Sequence, residues 1–296
     1  MYINSIAIIG GGRVGSGIAI VTAKAGLQTI LTEQSQELAE VALENIERDV
    51  DMQIARWGMT QSEKKLVLAN LSIGADIERS QEADLVICSI QDEFEEQKEV
   101  FSLLNSLCRP ETIFTTNAST LSITELANVL DHPENMLGLH FQDPVLKTKL
   151  VEIVRGFKTS DSTYETGRKF IQSLGKTGIE VFESPGFVTT RLILPLINEA
   201  MYALLENVAS AEDIDTAMKL GYNMKMGPLE IADRMGLDRV LLSMDHLFKE
   251  SGALKFRPCP LIKKLVRAQH VGVKTGEGFF TYDMQTGKKL PSPTSL

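Results

Sequence analysis

The stretch that decides the fold is "SIAIIGGGRVGSGIAIVTAKAGLQTILTE", residues 5–33. It opens with a nearly continuous apolar run that ends in glycine, the pattern of a strand buried on both faces. From Arg13 the sequence turns helical and closes at "KAG", where Gly26 is placed to adopt the left-handed conformation beyond a helix end. "LQTILTE" reads as a second strand. Strand, glycine turn, helix and strand in this order open a doubly wound, mostly parallel sheet. Gly10, Gly12 and Gly15 stand at the spacing G-x-G-x-x-G. The first permits a tight turn, the second lets the backbone approach a pyrophosphate, and the third allows close helix packing. The helix start then offers unpaired N–H groups and a partial positive charge to that anion. A glycine turn alone is a common structural device. Here a strand precedes it, a helix follows, and Glu33 ends the next strand, so a dinucleotide is expected. A carboxylate at Glu33 accepts hydrogen bonds from ribose hydroxyls and repels a 2′-phosphate. The following "QSQE" has no basic residue to reverse this, so NAD is expected over NADP.

Outward from this stretch, residues 36–69 read as two helices with no strand between them. Leu38, Val41, Ala42, Ile46, Val50, Ile54 and Trp57 keep helical spacing, and Thr60 with Glu63 forms a capping box. Such an insertion is expected to project from the sheet. Strands resume at "ADLVICSI" and "ETIFTTN", with a helix around residues 93–108 between them, and continue at "NMLGLHF", "KLVEIV" and "TGIEVF". From Val188 on, only helices are expected, separated by "SAEDID", "MKMGPLE" and "SGALKFRPCP". Ser210 and Asp213 suggest a capping box, and Pro228 suits a first helical turn. The boundary falls near Pro185. Residues 1–184 form an α/β Rossmann-like domain with a helical insertion at about 36–69, and residues 185–296 form an all-α domain.

The length of 296 residues accommodates two modest domains, and the charged fraction of 23% with an apolar fraction of 43% is that of a soluble globular chain. No apolar stretch is long enough to span a bilayer, and no basic region precedes the apolar start, so neither a membrane span nor a secretory signal is expected. Cys88, Cys108 and Cys259 lack metal-ligand spacing. They point to a reducing compartment and to no metal site. A net charge of −9 argues against nucleic acid as a partner.

A second stretch, "LHFQDPVLKTKLVEIV" at residues 139–154, sets His140 twelve positions before Glu152. A lone histidine beside an apolar strand is more often a satisfied core residue than a catalyst. Three features favour chemistry. "TTNAST" follows a strand and leads into a helix whose natural cap is Ser122, with Glu125 completing the box, so Ser119 is not needed there. His140 ends the next strand, and Glu152 lies in the one after it. All three then share the sheet margin where doubly wound folds bind ligands.

The chain resembles the L-3-hydroxyacyl-CoA dehydrogenases, including bacterial 3-hydroxybutyryl-CoA dehydrogenases, over nearly its whole length. The resemblance rests on "GGGRVGSGIA", "NASTLSITELA", "GLHFQDPV" followed by "KLVEIV", "SPGFVTTRL", "DIDTAMKLG", "MGPLEIAD" and "KTGEGFF". It implies NAD-dependent interconversion of 3-hydroxyacyl and 3-oxoacyl thioesters in fatty acid metabolism, a cytoplasmic location, and a homodimer formed through the helical domain. It implies His140 as general acid/base, Glu152 as its orienting partner, Ser119 as a hydrogen-bond donor to the substrate oxygen, and a substrate-site role for Thr190. The cofactor-binding residues it implies are Gly10, Gly12, Arg13, Val14, Gly15, Glu33, Asp92, Gln97 and Asn117. The chemistry suits these residues. A histidine with an ordinary pKa near ~6.5 can take the hydroxyl proton as hydride leaves the same carbon. A carboxylate on its far nitrogen stabilises the resulting imidazolium.

The chain also departs from the family pattern. Thr190 stands where an asparagine is usual, and "HFFNP" has become "HFQDP", which introduces Gln142 and Asp143. Asp92 replaces a glutamate near the nicotinamide ribose, and Gln97 replaces a basic residue. Asn198 does not substitute for the missing asparagine, because eight residues along a helix displace it by roughly 12 Å. "RWGM" replaces a lysine-rich "KGK" turn that helps hold coenzyme A. Arg48, Arg56, Lys64 and Lys65 remain, on what reads most simply as a solvated helix face. Acyl groups on an acyl carrier protein, free hydroxy acids, and a nucleotide-binding protein without turnover are the alternative readings.

Overall fold

Ser5–Ile9 (β1) and Gln28–Thr32 (β2) are adjacent parallel strands in the computed structural model, which describes residues 2–291. Ile6, Ala7 and Ile8 are fully buried, as a strand covered on both faces requires. Arg13–Lys24 (α1) connects the two strands. Gly26, just past its end, has φ +87°, a conformation that a side chain would disfavour.

Gln36–Ala55 (α2) and Gln61–Asn70 (α3) lead directly into Leu71–Gly74 (β3), which pairs in parallel with β2. This corrects the expectation of a projecting insertion, because the helix pair is the crossover of a parallel βαβ unit. Ala42, Ile46, Val50 and Val67 are buried in the same core as Ile18 and Ile20 of α1. The Thr60–Glu63 capping box is present in full. Trp57 also needs correcting: α2 ends at Ala55, and Trp57 lies in the turn with φ +59° and is 97% exposed.

Leu85–Cys88 (β4), Phe94–Leu107 (α4), Ile113–Thr116 (β5), Ile123–Ala127 (α5), Met136–Phe141 (β6), Leu150–Arg155 (β7), Asp161–Ser173 (α6) and Thr177–Phe182 (β8) complete the α/β unit. The eight strands lie in the order β3-β2-β1-β4-β5-β6-β7-β8, and β6 and β7 are antiparallel. The chain therefore leaves β1 toward one edge and returns on its other side at β4, which creates a topological switch point just past Ile9 and Cys88. Separate apolar clusters cover the sheet, one including Ile6, Ile8 and Leu31 and the other Ala7, Val86 and Phe101.

The chain divides into compact units at Met1–Phe187 and Val188–Leu296. Residues 1 and 292–296, at the ends of the expected domains, lie outside the described residues. The second unit contains Thr189–Leu205 (α7), Ala211–Gly221 (α8), Pro228–Met235 (α9), Leu237–Ser251 (α10) and Pro260–Arg267 (α11). Pro228 occupies the first turn of α9, and Asp215 on α8 receives the N–H groups of Leu229 and Glu230, each at 2.9 Å. At α8 the reciprocal half of the expected capping box differs, because the Ser210 hydroxyl rather than its N–H donates to Asp213. Nor is the unit purely helical: bridges join Gly272 to Glu277, Glu277 to Thr281 and Tyr282 to Lys289. Asp233, which is 1% exposed, fastens this tail by accepting from Phe279 N–H, Phe280 N–H and the Tyr282 hydroxyl.

Candidate active site

The glycine turn spans the switch point. A Cβ on Gly15 would lie 1.9 Å from the Gly10 carbonyl oxygen, so helix and turn can meet this closely only with glycine there. A Cβ on Gly12 would meet nothing within 4 Å, which leaves space in front of the α1 amino terminus. That terminus has no side-chain cap and no acidic residue in its first turn. Its orphan N–H groups are thus those that a phosphate satisfies elsewhere. Val14 packs against the core, while Arg13 is 68% exposed along its side chain. Glu33 receives the Gly11 N–H at 2.6 Å, so its carboxylate is fixed beside the turn. These features fit a dinucleotide.

On the other side of the switch point, β4 and β5 deliver Asp92 and the segment from Asn117 to Thr120. Asn117 donates its N–H to the Cys88 carbonyl and accepts the Phe141 N–H at 2.7 Å, which ties the end of β5 to the strand carrying His140. The Asp92 carboxylate accepts from Ser119 N–H at 2.9 Å, the Ser119 hydroxyl at 3.1 Å and the Thr120 hydroxyl at 3.2 Å. Asp92 therefore shapes the serine turn, a partnership that spacing does not reveal. Gln97 needs a correction as a cofactor ligand. It is completely buried, its Nε2 donates to the Gln91 carbonyl and its Oε1 accepts from Thr116, so it braces the loop between β4 and α4. Ser122 caps α5 through the Glu125 N–H, which is only the first half of the expected capping box, and leaves Ser119 to Asp92.

His140 and Glu152 are direct partners in the antiparallel register of β6 and β7, so their side chains emerge side by side on one face. His140 Nδ1 lies 2.6 Å from Glu152 Oε2, with the histidine side chain 11% exposed and the glutamate fully buried. Sequence reading did not single out Phe187, whose ring centroid lies 5.8 Å from that of His140. Phe187 is buried and has φ +49°, an uncommon conformation for a bulky residue. Its only sequence signal is the preceding Pro-Gly pair.

Thr190 sits in the first turn of α7 in the second unit and is 7% exposed. Asn198 is engaged structurally: its amide donates to the Arg257 carbonyl and accepts the Cys259 N–H. Burial pushes the Cys88 thiol up to about 12, so it is not a nucleophile near neutral pH. Among the described residues, no group of three or more His, Cys, Asp or Glu side chains could hold a metal ion, and no helix is long and apolar enough to cross a membrane.

Known proteins resemble this chain in both units. The NAD binding domain of 3-hydroxyacyl-CoA dehydrogenase matches residues 5–184, and the C-terminal domain of the same family matches residues 186–282. A probable 3-hydroxybutyryl-CoA dehydrogenase of Bacillus subtilis is 41% identical over 97% of this chain and 100% of its own length. The 3-hydroxybutyryl-CoA dehydrogenase of Bradyrhizobium diazoefficiens is 37% identical over 98% of each chain. The crystal structure of (S)-3-hydroxybutyryl-CoA dehydrogenase from Ralstonia eutropha superposes with a TM-score of 0.88 at 34% identity, covering 95% of this chain and 99% of that one. With both domains matched in order and the glycine turn built to receive a dinucleotide, the chain belongs to the 3-hydroxyacyl-CoA dehydrogenase family, oxidoreductases whose amino-terminal domain binds NAD.

Proposed function

We propose that the chain interconverts a 3-hydroxyacyl thioester and its 3-oxoacyl counterpart, with His140 carrying the hydroxyl proton and Glu152 orienting the ring. The observation behind this reading is the 2.6 Å contact between His140 Nδ1 and a glutamate with no solvent exposure. With Glu152 ionised, Nδ1 is the donor of that bond, and Nε2 is left with the lone pair that a base needs. As the alcohol is oxidised, Nε2 takes the hydroxyl proton and the buried carboxylate stabilises the imidazolium. NAD, when bound, accepts the hydride. In the reverse direction the imidazolium returns its proton to the carbonyl oxygen.

Ser119 serves both directions through its bond to Asp92. While its proton rests on Asp92, its oxygen can accept from a substrate hydroxyl. To support a carbonyl, it turns and donates instead. Thr190 offers one hydroxyl where an amide would offer two donors, and on this reading it adjusts the site to the acyl group. A homodimer through the helical unit, a cytoplasmic location and a place in fatty acid metabolism belong to the same reading.

The carrier is less constrained than the reaction. Coenzyme A is favoured by the names of the relatives. The α2–α3 pair favours a second carrier: Lys64 is already paired with Asp51 at 2.5 Å, and the connecting turn presents Trp57 rather than lysines. An acyl carrier protein or a free hydroxy acid would need no lysine turn there. NADH oxidation measured with acetoacetyl-CoA, the carrier-bound acetoacetyl group and free 3-oxo acids tests the proposal. Turnover of a thioester supports it, and turnover of free acids alone would replace the substrate class. No turnover despite tight NADH binding would leave a nucleotide-binding protein.

A further inference from the structure

Arg13 is the first residue of α1 and follows Gly12, where open space faces the helix amino terminus. Its guanidinium meets Asp143 at 2.5 Å, although the two residues are far apart in sequence. The Asp143 backbone is held in place. Val145, two positions on, packs where a side chain on Gly17 of α1 would go, and Lys176 Nζ donates to the Val145 and Thr148 carbonyls. Most of the arginine side chain is exposed. A second carboxylate faces the same guanidinium: Asp49 on α2 interacts electrostatically with Arg13, Arg48 and Asp143, and partial burial raises its pKa. Asp143 thus holds the charge of Arg13 beside a turn that would receive a doubly charged pyrophosphate.

We propose that Arg13 is a pyrophosphate ligand held in reserve by Asp143, so that Asp143 lowers dinucleotide affinity and links cofactor occupancy to the strand that carries His140. A guanidinium binds phosphate oxygens by two parallel charge-assisted hydrogen bonds, and a bidentate phosphate contact is stronger than an exposed ion pair. On cofactor binding the side chain leaves Asp143. Asp143 lies three positions beyond His140, so the segment after β6 then loses its charged tie to α1 and keeps only the packing of Val145 against Gly17. The aspartate is one of the departures from the family pattern, and this exchange gives it a role.

The inference rests on the dinucleotide being the cofactor, which NADH binding to the parent protein tests separately. The experiment is fluorescence titration of NADH and calorimetric titration of ADP-ribose, with adenosine competed against NADH as a probe lacking phosphate. Asp143→Asn should tighten NADH and ADP-ribose by about two- to fivefold, the range in which an exposed ion pair can compete. Arg13→Met should weaken both by about tenfold or more and flatten the dependence of affinity on salt, with adenosine unaffected. In the Arg13→Met background, Asp143→Asn should have no further effect, because the arginine through which it acts is gone. Unchanged NADH affinity in Asp143→Asn, or equal losses for adenosine and ADP-ribose in Arg13→Met, would overturn the proposal and leave the pair as a fastening of the loop. Failure of the parent to bind NADH would overturn the cofactor reading together with it.

Discussion

Glu152 and Asp233 are both carboxylates with almost no exposure to solvent, one in each unit, yet they end on different kinds of partner. Glu152 meets an imidazole, a ring with two nitrogens, either of which can carry the proton. Asp233 meets two backbone N–H groups and a phenol that burial and Asp233 itself hold above its ordinary pKa. Asp215 resembles Asp233, since it too ends on backbone N–H groups. Burial of a carboxylate therefore does not identify chemistry. A partner that can change protonation state does.

The sharpest way to break this contrast is at the histidine. His140→Gln should lower turnover by about 10² to 10⁴ while leaving NADH affinity unchanged. Steady-state kinetics beside a fluorescence titration would measure both, and near-normal turnover would move Glu152 into the structural class with Asp233. The opposite result is expected for Asp233→Ala. It strips three donors of their acceptor, and a buried unsatisfied group costs about 1–3 kcal/mol, so the loss of stability should be on the order of 3 kcal/mol or more. Urea unfolding followed by circular dichroism reads this, and NADH affinity of the folded variant should not change.

A pH series sharpens the contrast further. Burial raises the Asp233 carboxyl from 3.8 to about 6 despite its three hydrogen bonds. A raised folded value means that the native state holds the proton more tightly than the unfolded chain, so ionisation costs stability. The contribution of Asp233 then falls as pH climbs from about 4 to about 6, by roughly 3 kcal/mol at most. The stability of the parent relative to Asp233→Asn should decline across that window, and a flat difference would show that the carboxyl titrates normally. The smallest effect concerns Glu33, a carboxylate that also ends on a backbone N–H but stays beside the glycine turn. The parent should prefer NAD to NADP about tenfold, or ~1.4 kcal/mol, and Glu33→Ala should erode that preference in calorimetric titrations.

What sequence could reveal followed from how local each signal is. The glycine turn, the buried strands and the Thr60 cap are written in neighbouring residues, and each has its counterpart in the fold. β3 carries little sequence signal of its own, because this four-residue edge strand begins directly at the end of α3. Trp57 continued a helical spacing that geometry had already ended at Ala55. The facing of His140 and Glu152 required the β6–β7 register, which their separation in sequence allows but does not specify. Partnerships between distant segments were not legible at all. Arg13 with Asp143, Thr116 with Gln97, and Asp233 with the residue 279–282 tail depend on the packing of whole elements.

The turn between α2 and α3 has an optical consequence. Trp57 is the single tryptophan of the chain, and its indole is already in water in the native protein. Its emission will change little on global unfolding, which is why circular dichroism is the appropriate probe of stability here. The same isolation makes it an unlabelled local reporter. A blue shift or quenching on addition of a substrate would place part of that molecule at the α2–α3 tip, with no other indole to confuse the signal.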